Sequence, residues 1–149
     1  MNNKILFISS EFPPGPGGIG NHAFNIANEL ARKGYQIIIN TKSDYVSQNQ
    51  EAMFDKTCNY KVYRFKRKKT IIQSWINRFL RIRETILRHN IKQVIISGEF
   101  SIWTIPFLKL YREVKIISVV HGTELGRNFF LKWTLFCLSK SNRIISVSN

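Results

Sequence analysis

Six short apolar runs punctuate the chain, at residues 4–9, 35–40, 60–65, 93–97, 115–120 and 143–147. Most are rich in Ile and Val and lack polar alternation, which is how strands covered on both faces read. Four intervening segments, 21–33, 70–89, 102–112 and 129–140, carry apolar residues at helical spacing. The first ends in Arg32-Lys33-Gly34, a basic last turn followed by a capping glycine. Strands alternating with helices predict right-handed βαβ crossovers. The expected fold is one Rossmann-like α/β domain, a parallel sheet with helices on both faces. Ligands of such sheets bind beyond the carboxyl ends of the strands. Residues 41–57 are polar and aperiodic and are expected to form a mobile loop. No internal repeat or low-complexity tract is present.

The length of 149 residues suits a single domain that needs neither disulfide nor metal to fold. The two cysteines, Cys58 and Cys137, lie far apart and form no CxxC pair. Neither a disulfide framework nor a zinc site is implied, and a reducing cytosol is the default. The first apolar run, 5–8, is too short for a signal peptide. No stretch approaches the roughly 20 apolar residues of a spanning helix.

Charge changes the picture. The net charge of +14 calls for an anionic partner. Residues 61–92 hold eleven Lys and Arg against one acid, Glu84. Placed at about 100° per residue, most apolar side chains of 70–89 fall on one half of the wheel, Trp75 and Ile76 among them. Arg78, Arg81, Glu84 and Arg88 lie on the other half. Lys66, Arg67, Lys68 and Lys69 stand just ahead. A basic amphipathic helix with a tryptophan is the mark of a helix lying on an anionic membrane. Lys66, Arg67, Lys68, Lys69, Trp75, Arg78 and Arg81 are the expected membrane-facing residues, with the apolar face partly in the core. A simpler reading makes that whole apolar face core. The aromatic stretch 129–133 is a second apolar candidate, expected as a buried helix.

Two loops carry candidate chemistry. After the first strand comes Glu11-Phe12-Pro13-Pro14-Gly15-Pro16-Gly17-Gly18-Ile19-Gly20. Glycines there allow backbone N–H groups to approach a phosphate at the start of the next helix. Gly15, Gly17 and Gly20 match G-x-G-x-x-G in form. Residues 10–14 separate them from the strand, however, and the second strand ends in Asn40 without the ribose-binding acid. A nicotinamide cofactor is therefore not expected, and a purely structural turn is the competing reading. The fifth strand runs into His121-Gly122-Thr123-Glu124, which sets a titratable group at the ligand-facing rim. His22 is expected to be structural, and His89 a partner of a helix dipole. No metal-ligand cluster is evident.

Taken together, Glu11-Phe12-Pro13-Pro14, Gly17-Gly18-Ile19-Gly20, His121-Gly122-Thr123-Glu124 and Ile144-Ile145-Ser146-Val147-Ser148 resemble the N-terminal domain of a family 4 glycosyltransferase. The resemblance covers the whole chain and implies a retaining enzyme of the GT-B fold. It implies that Gly17, Gly18 and Ile19 face the donor diphosphate and that His121 is the active-site histidine contacting the transferred sugar. Glu11 and Glu124 would lie near acceptor or sugar, with Ser97 on the acceptor rim by position. It implies no metal and no tightly bound cofactor, the nucleotide-diphosphate sugar being a substrate. Residues 1–149 would be the acceptor-side domain. The donor-binding domain with its E-x7-E motif would lie outside this chain, which alone should be inactive. The acceptor would be a hydroxyl, on a lipid-linked or polysaccharide precursor, and the location cytoplasmic, on the inner face of the membrane.

Two other readings compete. A nucleic-acid-binding module would use the charge, but no helix-turn-helix, zinc finger or aromatic RNP pattern accompanies it, so nucleic acid is not the expected partner. A membrane-recruiting subunit of a two-chain transferase would keep both motifs.

Overall fold

The computed structural model describes residues 3–43, 45–122, 125–126 and 130–147. Six strands form one sheet in the order β3-β2-β1-β4-β5-β6, every pair parallel. They are β1 (Lys4–Ser9), β2 (Gln36–Ser43), β3 (Lys61–Lys66), β4 (Gln93–Ser97), β5 (Lys115–Val120) and β6 (Arg143–Ser146). The helices are α1 (Gly18–Arg32), α2 (Gln48–Asp55), α3 (Ile71–His89), α4 (Glu99–Ile102), α5 (Ile105–Leu108) and α6 (Leu131–Leu138).

Alternate residues of each strand feed two separate cores, one per face. Ile5 and Phe7 of β1 join Ile37 and Ile39 beneath Ala23 and Ala27 of α1. The two alanines lie four residues apart on one helix face, and their small size lets α1 sit close to the sheet. Leu6 and Ile8 face the other way, onto Ile82 and Ile86 of α3 and Cys137 and Leu138 of α6. Helices α1 and α3 thus cover opposite faces. The strand order reverses between β1 and β4, and the crevice at their carboxyl ends is the topological switch point.

Three local expectations are corrected. The segment read as a mobile loop contains the last part of β2 and all of α2. Ser47 opens α2 with a reciprocal capping box to Gln50. Arg64 of β3 then holds it, with Nη2 donating to Asp55 Oδ1 at 2.7 Å and Nη1 3.7 Å from Glu51. The helix expected over 102–112 is two short ones, α4 and α5, separated at Trp103 and Thr104, with Pro106 in the first turn of α5. Its missing N–H cannot continue the α4 ladder. Helix α6 is not buried all round, for it buries Thr134, Cys137 and Leu138 and exposes Trp133, Leu135 and Phe136.

Candidate functional site

The glycine loop joins β1 to α1 at the switch point. Gly17 caps α1 with φ 125° and ψ 147°, and no side chain accepts from the first turn. That backbone region is open essentially to glycine alone. A Cβ at Gly17 would also lie 2.0 Å from Glu11 Oε2. Gly18 has nothing within 4 Å of where a Cβ would stand, so it faces open space. The first turn of α1 contains no acidic residue. Uncapped N–H groups at a helix start, beside a residue with open space over it, form a ready anion site. Glu11 lies against this loop.

His121 follows β5. The register sets Ser97 of β4 beside Val119 of β5, and His121, two residues on, reaches back so that Nε2 lies 2.9 Å from Ser97 Oγ. Ser97 is completely buried. It therefore meets the rim only through His121, which corrects its placement as an acceptor contact. Thr123 and Glu124 lie outside the described residues, so Glu124 has no structural account.

His22, expected to be structural, stands on the same site. Its ring meets His121 edge-on with centroids 4.9 Å apart and an interplanar angle of 88°. Its Nδ1 is buried with no hydrogen-bond partner among the described residues. Burial first, and then the neighbouring His121, hold its pKa below the ordinary 6.5. The available signal was its place one turn after the glycine loop, at the helix end that faces ligand.

His22 also has a consequence for stability. A histidine depressed in the folded state binds fewer protons there than in the unfolded chain. The penalty is absent above pH 6.5 and grows as pH falls below it. His22→Gln should therefore weaken the acid destabilisation of the protein below pH 6.5, seen as a smaller shift of the urea midpoint between pH 7 and 5.5. An equal shift in both proteins would show that His22 titrates normally. His89 is the last residue of α3, with Nε2 3.4 Å from the Tyr63 hydroxyl. A groove of about 610 Å³ near it, lined by Lys4, Tyr35 and Tyr60, sits at the amino ends of the strands and away from this crevice.

The basic face differs from expectation at one residue. Lys66, Arg67, Lys68, Lys69 and Arg81 are exposed. Trp75 is half-buried, stacked on Trp103 at 6.2 Å. Arg78, expected to face a membrane, is only 6% exposed. It lies on the sheet side of α3 with Ile82, Thr85 and Ile86, because Phe65 and Trp75 accept its guanidinium against their rings. The apolar half of α3 is not all core either. Ile72 is 72%, Ile76 52% and Leu80 56% exposed, a ridge along successive turns. Phe130, Trp133 and Phe136 are exposed on the same side of the sheet. No helix is long and apolar enough to cross a membrane, and no group of metal-ligating side chains is found among the described residues.

The sequence model of Glycosyltransferase Family 4 matches residues 16–149. No curated protein matches the chain. Among solved structures, MurG of Acinetobacter baumannii superposes with a TM-score of 0.69 at 10% identity, over 96% of this chain and 40% of that one. LpCGTa, solved in complex with UDP, superposes with 0.57 at 11% identity, over 96% and 45%. The nicotinamidase SaPncA of Staphylococcus aureus gives 0.50 at 12% identity, over 93% of each chain. This chain thus spans less than half the length of the first two. At such identities the likeness is one of fold.

Proposed function

The chain belongs to glycosyltransferase family 4, and from that premise we propose that it is the acceptor-side half of a retaining glycosyltransferase. The transferred sugar leaves a nucleoside diphosphate and forms a bond from its anomeric carbon to an acceptor hydroxyl. The observation that carries this reading is the pairing, across one crevice, of the uncapped α1 N-terminus at Gly17 and Gly18 with His121. The backbone amides of Gly18 and Ile19 stabilise diphosphate charge. His121, held by Ser97, meets the sugar. That one similar structure was solved with UDP supports a nucleotide-sugar donor, held mostly by a second domain outside this chain. Residues 1–149 alone should not turn over. The test is release of nucleoside diphosphate from a panel of nucleotide sugars by the protein that carries this chain together with a donor domain. Release by residues 1–149 unaided would overturn the division of labour, and no release by the two-domain protein would overturn the activity.

The acceptor is proposed to be lipid-linked, reached from the cytoplasmic side of a membrane. The support is the exposed ridge Ile72, Ile76 and Leu80, with Lys66–Lys69 at its start. Each basic residue near an anionic leaflet contributes about 1 kcal/mol. Replacing Lys66, Arg67, Lys68 and Lys69 by Gln should lower partitioning onto vesicles with anionic lipid by at least a hundredfold. Ile72→Ser with Ile76→Ser should lower it on neutral and anionic vesicles alike. Equal sedimentation of all variants with anionic vesicles would remove the membrane from the reading.

A further inference from the structure

Arg78 is a buried cation with no carboxylate within ion-pair distance among the described residues. Burying a guanidinium unpaired is costly, and its desolvation pulls the pKa down to about 10. Its Nε is buried with no hydrogen-bond partner among the described residues. Glu11, which follows Ser10 in sequence, turns its carboxylate toward Gly17, and Glu99 accepts from the Thr134 hydroxyl at 3.5 Å.

The guanidinium leads into a chain of hydroxyls whose first step has a fixed direction. Arg78 Nη2 donates to Ser101 Oγ at 2.8 Å, and Ser101 Oγ lies 3.2 Å from Ser10 Oγ. Arginine can only donate, so Ser101 accepts there. Ser101 is completely buried, and its hydroxyl proton has no other acceptor among the described residues. When Ser101 is the donor that proton points to Ser10, and when Ser10 is the donor its O–H points to Ser101. Ser10 Oγ accepts the Ser101 backbone N–H as well, at 3.3 Å. That N–H also bonds the Gly98 carbonyl at 2.9 Å. With Ser101 as the hydroxyl donor, the Ser10 O–H has no acceptor among the described residues, and a ligand oxygen at Ser10 selects this arrangement. Ser10 follows the last residue of β1, with its N–H bonded to the Ser97 carbonyl of β4. Opposite it stands Gly98, φ 85°, where a Cβ would fall 2.5 Å from Ser10 Oγ. The glycine is what lets the serine occupy the floor of the switch-point crevice.

We propose that Arg78, Ser101 and Ser10 form a charge-polarised relay that binds a phosphoryl oxygen of the ligand at the floor of this crevice. The ligand oxygen accepts the Ser10 O–H, and the buried cation behind strengthens that bond because little solvent screens it. Arg78 and Ser101 are positioning residues, and Ser10 makes the contact. The proposal rests on the crevice being the substrate site. It adds a second phosphate contact, on the α3 side of the sheet, to the one at Gly18.

The test is titration of the 149-residue chain with inorganic phosphate, read by amide shifts of Ser10 and Ser101 and by the indole signal of Trp75. Saturable shifts are expected. Ser10→Ala, a small change on the crevice floor, should weaken phosphate binding by roughly tenfold or more. Arg78→Gln should do the same and Arg78→Lys should restore part, with circular dichroism checking the fold of each. Absence of a saturable response, or binding by Ser10→Ala within twofold of the parent, overturns the relay. Pyrophosphate distinguishes the source. If it displaces phosphate from Ser10, the relay serves the donor diphosphate. If both bind together, it serves a phosphate on the acceptor. Shifts at Ser10 without any at Gly18 and Ile19 would sink the donor-loop reading while leaving the relay standing.

Discussion

Arg64→Met is expected to lower the stability of the protein by about 3–5 kcal/mol, the cost of breaking a buried ion pair by removing one partner. Arg64 has little exposed side-chain area, and the same is true of Glu51. Its Nε and Nη2 donate to both oxygens of Asp55, and Nη2 also donates to the Pro13 carbonyl at 2.5 Å. Methionine fills a similar volume, so the loss is chiefly electrostatic. It leaves two carboxylates in one poorly solvated place, with Ser43 donating to Glu51 but without the cation they now share. At roughly 2–4 °C per kcal/mol for a domain of this size, the midpoint of thermal unfolding should fall by on the order of 10 °C. Adding Glu51→Gln and Asp55→Asn should recover much of it. A fall of only one or two degrees in the single variant would mean that water already screens the cluster.

The same arginine explains what the sequence showed and what it hid. Strands buried on both faces announce themselves through uninterrupted Ile and Val, so β1, β4 and β5 are legible to the residue. Helix α2 is not, because its residues carry no apolar period. Its stability comes from the Ser47–Gln50 cap and from Arg64, nine residues beyond Asp55, and only the first leaves a local signature. Helix α3 misleads in the opposite way. Its wheel separates apolar from basic residues, yet the direction of the sheet cuts across that division. Arg78 is turned inward and Ile72 outward. Periodicity reports that a helix has two sides and says nothing of which neighbour each side meets. Aromatic rings at Phe65 and Trp75 were what made the inward arginine tolerable, and they come from another strand and an earlier turn.

The candidate site divides along the same line. The glycine loop and His121 were legible because loops after strands must face ligand in a parallel sheet. The partners were not. Ser97 and His22 meet His121 only through the β4–β5 register and the approach angle of α1, which are long-range consequences of the fold.

His121→Ala should lower kcat of the proposed two-domain transferase by about 100- to 1,000-fold, the range for loss of one preorganised group that stabilises transition-state charge, with KM for the donor changed much less. The reason lies in how the ring is held. Ser97 fixes one nitrogen at 2.9 Å and His22 braces the ring edge-on, so little reorganisation would remain if charge develops on a sugar there, as proposed. On the proposed reading, ground-state binding of the diphosphate would fall instead to the Gly18 and Ile19 amides, which the substitution does not touch. Ser97→Ala should then give a smaller loss in kcat, since it loosens His121 without removing it. A side chain planted between Gly18 and the phosphate, as in Gly18→Val, should raise KM, for the space over Gly18 is open in this structure and is where the ligand would stand. Steady-state kinetics on the three variants separates the roles. If His121→Ala instead raised KM and spared kcat, the histidine would be a binding group, and the charge of the departing diphosphate would have to be met by the helix terminus and the donor domain alone.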